Sequence, residues 1–174
     1  IVRSKPIFAL CTASNCSKAS PSGALIPGVT DVLRFRITAE GDDVRFDGNT
    51  SITHNMNFTI AQNGGIINGS RVMRFFEVGK SAALESKTML NATGTVDGTN
   101  GANFLYATTT IASGTYKEYY IDYDLQDYVT TGETYRLSIE NAAADLSWND
   151  GVTTDISIAN LTDGLPLTGG TLTK

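Results

Sequence analysis

The chain has 174 residues, 41% of them hydrophobic and only 18% charged, with a net charge of −5. That length suits one domain with a sizeable core. Charge falls below the ~25% of ordinary globular proteins, and Thr, Ser, Asn and Gly take its place, as on an exported β-protein. Basic residues pair up only at Arg3/Lys5 and Arg34/Arg36, which argues against the basic patch that nucleic acid requires. No apolar run nears the ~20 residues of a membrane-spanning helix.

Ile1 to Leu10 is an apolar, extended segment. From Cys11 to Thr30 follows a Ser-, Pro-, Gly- and Ala-rich stretch without a period of 2 or 3.6. The expected organisation is therefore a first strand over residues 1–10, a tether over 11–30 and a body over 31–174. Within the body, Asp31 to Glu40 alternates cleanly: Leu33, Phe35, Ile37 and Ala39 on one face, Arg34, Arg36, Thr38 and Glu40 on the other. Gly41-Asp42-Asp43 reads as a turn, Val44-Arg45-Phe46 as a short strand, and Ser51 to Ala61 as another alternating strand. Further strands are expected over Ser70–Val78, Lys87–Thr93, Asn103–Ala112, Tyr116–Leu125, Thr134–Glu140 and Asp155–Ala159. Ser81–Glu85 and Asn141–Asp145 read as single helical turns. Strands this short and this closely spaced predict an all-β, antiparallel β-sandwich or jelly roll in one domain.

The residues offer little for catalysis or metal binding. The one histidine, His54, falls on the apolar side of its strand, and no Gly-x-Ser-x-Gly elbow supplies a nucleophile. Asp97-Gly98-Thr99-Asn100-Gly101 has too few oxygen donors for a calcium loop and reads as a turn. The tyrosines at 116, 119, 120, 123 and 128 fit either a sugar-stacking platform or core and cross-strand pairs. No enzyme activity, cofactor or metal is expected. Leu165-Pro166-Leu167-Thr168-Gly169 matches the sortase pattern, but no apolar stretch and basic tail follow it, so it reads as a turn into a last strand.

Cys11 and Cys16, both in the tether, read as a small-loop disulfide of an oxidising compartment. Asn-x-Ser/Thr triplets at Asn15, Asn49, Asn57, Asn68, Asn91 and Asn160 exceed the about two or three that chance generates in such a composition. They are glycosylation candidates, with Asn57 on the wet face of its strand. The chain opens on Ile and carries no signal peptide, so it reads as a processed form or an excised domain.

Arg3-Ser4-Lys5-Pro6, Ser20-Pro21-Ser22-Gly23, Pro27-Gly28 and Val32-Leu33-Arg34-Phe35 resemble the opening of β-sandwich modules in very long exported proteins of uncultivated bacteria. Gly164 to Gly169 followed by Thr171-Leu172-Thr173 is similar to the end of the same module. This chain has one copy and carries the cysteine pair inside the tether. The architecture more loosely resembles the subunits of TasA-like biofilm fibres and archaeal bundling pili, in which an N-terminal strand completes the sheet of the adjacent subunit. The resemblance implies a cell-surface or filament subunit that assembles with itself, head to tail.

The lengths permit this. Ten extended residues span ~33 Å, and a twenty-residue tether reaches ~60 Å, against a radius of gyration of ~16 Å for a domain of this size. Val2, Ile7, Phe8 and Leu10 are the expected anchors of the donated strand, and Pro6, lacking an N–H, must lie at an edge or a non-bonded position. The alternative is a monomeric adhesin, surface-layer or carbohydrate-binding module with the strand in its own sheet.

Overall fold

The structure is a computed structural model that describes residues 1–47, 56–64, 69–91, 101–104, 108–140, 146–153, 156–157 and 162–174. His54, the Asp97–Asn100 loop, the 141–145 segment and Asn49, Asn68 and Asn160 lie outside the described residues. The strands are β1 Ser4–Leu10, β2 Gly23–Ala24, β3 Val29–Gly41, β4 Val44–Asp47, β5 Met56–Asn63, β6 Gly69–Glu77, β7 Glu85–Asn91, β8 Gly101–Phe104, β9 Thr108–Ile111, β10 Tyr116–Asp124, β11 Thr134–Ile139, β12 Ser147–Trp148, β13 Ile156–Ser157, β14 Leu167–Thr168 and β15 Leu172–Thr173. No helix occurs among the described residues.

Two main sheets form an antiparallel β-sandwich. The first runs β1-β3-β10-β6-β7; the second runs β2-β15-β11-β5-β8, with β14 also on β11. β2 and β15 are the one parallel pair among these strands. The alternation in the sequence explains the layering. On β3, Leu33, Phe35, Ile37 and Ala39 are fully buried, whereas Arg34, Arg36 and Thr38 are partly exposed and Glu40 exposed. Tyr119, Ile121 and Tyr123 of β10 and Tyr135, Leu137 and Ile139 of β11 meet them from the same interior.

Aromatic rings join the sheets. Phe35 stacks on Tyr119 and Phe75 within its own sheet and lies 6.0 Å from Phe58 of the opposite one. Phe75 contacts Phe104 across the interior, and Tyr123 contacts Tyr135. Tyr119, Tyr123 and Tyr128 are thus core residues, which takes them out of any sugar-stacking platform. Burial pushes the Tyr119, Tyr123, Tyr128 and Tyr135 hydroxyls well above their ordinary range. Tyr120 remains outside but presses flat on Phe76, at 4.8 Å, under the Arg34 guanidinium.

The expected helical turn over Ser81–Glu85 is instead part of a β-hairpin connection. Lys80 N–H donates to the Glu77 carbonyl and Leu84 N–H to the Phe75 carbonyl, so the chain turns straight back into β7. Pairing with β6 satisfies the backbone groups that one helical turn would leave open.

Because Phe35 touches four other rings, Phe35→Ala is expected to destabilise the fold by about 3–5 kcal/mol. Tyr120→Ala, on the outer face, should cost about 1 kcal/mol. Urea unfolding of the two variants checks the difference.

Candidate functional site

The first strand occupies a slot rather than a bare edge. Along one side it pairs antiparallel with β3, Ser4 opposite Gly41 through Leu10 opposite Phe35. Along the other it meets the 162–164 segment, where Phe8 N–H donates to the Asp163 carbonyl and Asp163 N–H donates to the Pro6 carbonyl. Pro6 faces this second side. Its missing N–H points where the ladder with β3 needs none, as the sequence required.

Strand parity decides the anchors. Ser4, Pro6 and Phe8 turn inward and are buried, and Leu10 packs partly buried against the core. Phe8 stacks on Phe35 at 6.4 Å. Ile7 lies on the opposite, outer face, half-buried, and Val2 precedes β1 and is 37% exposed. Of the expected anchors Val2, Ile7, Phe8 and Leu10, the inward face keeps Phe8 and Leu10 and adds Pro6, because Ile7 and Phe8, as neighbours on a strand, cannot share a face.

Polar contacts fix the strand's beginning. Arg3 N–H donates to Asp150 Oδ2 at 2.8 Å, and Asp42 N–H donates to the Arg3 carbonyl. The Trp148 indole donates to the Ser4 carbonyl at 3.3 Å. Lys5 lies 3.0 Å from Asp163 and 3.7 Å from Glu40, and the hydrogen bond to Asp163 raises its pKa, so the ammonium stays charged. Asp150 titrates below its ordinary value because the Thr153 amide, then that of Arg3, donates to its carboxylate.

Two glycines shape the slot. Gly41, at φ +84°, has no room for a Cβ beside the Arg3 carbonyl, and Gly164, at φ +79°, has none beside the Phe8 carbonyl. Both combine a left-handed backbone with a close approach that only glycine allows.

The tether differs most from expectation. It is fastened along its length. Cys11 and Cys16 are bridged, and the loop they close lies on the outer face of the first sheet, where Ser17 N–H and Oγ–H donate to Glu118 and Arg36 donates to the Asn15 carbonyl. The chain then crosses to the second sheet. There β2 joins β15, Leu25 is buried, and Gly23 and Leu25 donate to Thr171 and Thr173. Small polar side chains and β-turns that look unstructured in sequence serve here as hydrogen-bonding groups.

Of the described glycosylation candidates, Asn57 stands half-exposed on the outward side of β5, and Asn91 ends β7. Asn15 uses its side chain inside the disulfide loop, accepting from Thr12 N–H and donating to the Leu10 carbonyl. The sortase-like stretch is built into the sandwich: Leu167 is buried, Thr168 pairs with Ser138, and Gly169 N–H donates to the Leu137 carbonyl. Asp150, Trp148, Asp163 and Gly164 were invisible as partners of β1, since they lie roughly 150 residues away in sequence. Only the turn-like Asp163-Gly164 pair hinted at a tight approach.

Gly164→Ala is expected to unseat β1, at about 2 kcal/mol or more. Gly114→Ala, with a positive φ but open space around it, should cost less. Trp148, the one tryptophan of the chain, reports on the seat, and its emission should shift in the first variant before global unfolding.

Acid should act similarly. The stabilisation from Asp150 is complete above the ordinary carboxylate value and is lost as pH falls through the depressed one. The seat is therefore expected to hold from neutrality to about pH 4 and loosen below it, as read by Trp148 emission and by Asp150→Asn, which should flatten the acid limb. No protein-family model matches the chain, and no curated protein or solved structure does either.

Proposed function

We propose that the chain is a structural, non-enzymatic subunit of an extracellular filament or pilus, joined head to tail by exchange of β1 between copies. The observation that carries this reading is the slot. β1 is held by an unbroken ladder on one side, the Asp163 segment on the other and the Phe35 ring beneath. Those contacts are the same whichever copy supplies the strand. Main-chain ladders provide affinity in strand addition, and alternate side chains provide specificity. Burial of Phe8 and Pro6 with part of Leu10 supplies about 1.5–3 kcal/mol per large side chain. A transfer that does not close on itself generates a filament.

For β1 to reach a neighbour, residues 21–28 must pay out. Eight extended residues reach ~26 Å, at the loss of the β2 pairing and the buried Leu25. The Cys11–Cys16 bridge supports an oxidising, extracellular setting, in which Asn57, partly exposed on the outward side of β5, is a glycan candidate.

The fastened tether favours a second reading. In it, β1 stays in its own sheet and the chain is a closed β-sandwich module of a larger surface protein. Negative-stain microscopy separates the two. The first predicts filaments from the 174-residue chain and none from a variant lacking residues 1–10. Monomers from the intact chain at every concentration and pH would favour the second.

A further inference from the structure

β1 has a second point of attachment outside its slot. Cys11 continues the strand, its N–H donating to the Arg34 carbonyl, and is buried. The bridge to Cys16 turns the chain back on itself. Inside the loop Asn15 accepts from Thr12 N–H and donates to the Leu10 carbonyl, tying the loop to the end of β1. This places Ser17 against Glu118, which accepts from both its amide and its hydroxyl, while Arg36 donates to the Asn15 carbonyl. Ser20 closes the unit: its N–H donates to the Cys11 carbonyl, and its hydroxyl accepts from Arg34 N–H. Arg36 stands opposite Ala9 of β1 on one side and opposite Glu118 on the other. The receiving surface is therefore in the row next to the slot.

We propose that the Cys11–Cys16 loop is a disulfide-set latch for β1, with Glu118 and Arg36 as its receiving site, so that residues 1–20 dock and leave as one unit. Opening the bridge takes two electrons and two protons from an external dithiol and yields two thiols and the oxidised reductant. Only six residues of open main chain then link Ser17 to β1, so the loop no longer presents Ser17 to Glu118 in a set geometry and the latch loosens. Where β1 passes between copies, which rests on the assembly reading above, the latch passes with it and Glu118 of the receiving copy recognises it.

Hydrogen exchange on the 174-residue chain tests this directly. Reduction by a dithiol, or the Cys11→Ser/Cys16→Ser double variant, is expected to speed exchange at Phe8 and Cys11 about ten-fold. Amides of β11 serve as the control and should be unmoved. Ser17→Ala, at an exposed position, and Glu118→Gln should each give part of the same acceleration with the bridge intact. Protection of β1 unaffected by reduction and by both substitutions would overturn the latch.

A second arm uses a synthetic peptide of residues 1–20 added to the chain. Its oxidised form should be captured about ten-fold better than its reduced form or than a peptide of residues 1–10. Equal capture of all three overturns the latch and leaves strand exchange standing. Capture of none, with β1 protection still dependent on the bridge, overturns strand exchange and leaves the latch.

Discussion

The structure depends on the pairing of β1 with β3 above the Phe35 ring. β3 is the longest of the described strands, carries the hub of the aromatic core, and has β10 on its other side. Without β1, the outer edge of β3 would present a row of unpaired backbone groups beside a fully buried phenylalanine. That is the arrangement sheet proteins avoid, because it recruits other strands. The molecule resolves the conflict twice over: β1 covers β3, and the Asp163 segment covers β1. The ends of the strand are then tied down, by Trp148 of β12 and Asp150 just after it at one end and by the disulfide loop at the other.

The same features that close the module are the ones the proposed strand exchange would use. Apart from the Asn15 bond to the Leu10 carbonyl, which travels with the strand, the contacts of β1 described above are non-covalent and lie with β3 and with the 148–164 region, far along the chain. A second copy therefore offers an identical seat, and only the intervening segment decides which seat is taken. Domain swapping follows this logic when the connection cannot close comfortably on its own body. Here the connection does close, through β2 and Leu25. The proposed exchange would therefore have to give up those contacts, with concentration and the state of the proposed latch setting its balance.

Much of the fold was legible because period-2 alternation is a local signal. The 33–40 stretch, the Tyr119-Ile121-Tyr123 face and the Tyr135-Leu137-Ile139 face all occupy the layers their spacing implied. The Cys11–Cys16 pairing was equally legible, because the chain has two cysteines and they lie close together in sequence. The site was less so. Hydrophobicity alone named Ile7 and Phe8 together, where parity admits one. The tether read as slack because Ser17, Ser20 and Gly23 form no periodic pattern, yet their partners at Glu118, Arg34 and Thr171 hold them in place. The helical turn at 81–85 failed because, although Ala82, Ala83 and Leu84 favour helix, one turn is too short to repay nucleation, and the adjoining hairpin claims its backbone instead.

The most direct measurement asks which copy supplies the strand. Lys5 Nζ lies 3.0 Å from Asp163 Oδ2, close enough for a zero-length carbodiimide cross-link on the unaltered protein. Equal amounts of ¹⁴N- and ¹⁵N-labelled chains, denatured and refolded together, are concentrated, cross-linked, digested and analysed by mass spectrometry. Strand exchange predicts Lys5–Asp163 linked peptides in which one half is light and the other heavy, in proportion to the assembled fraction. Linked peptides that are only all-light or all-heavy, from material that is visibly filamentous, would contradict it.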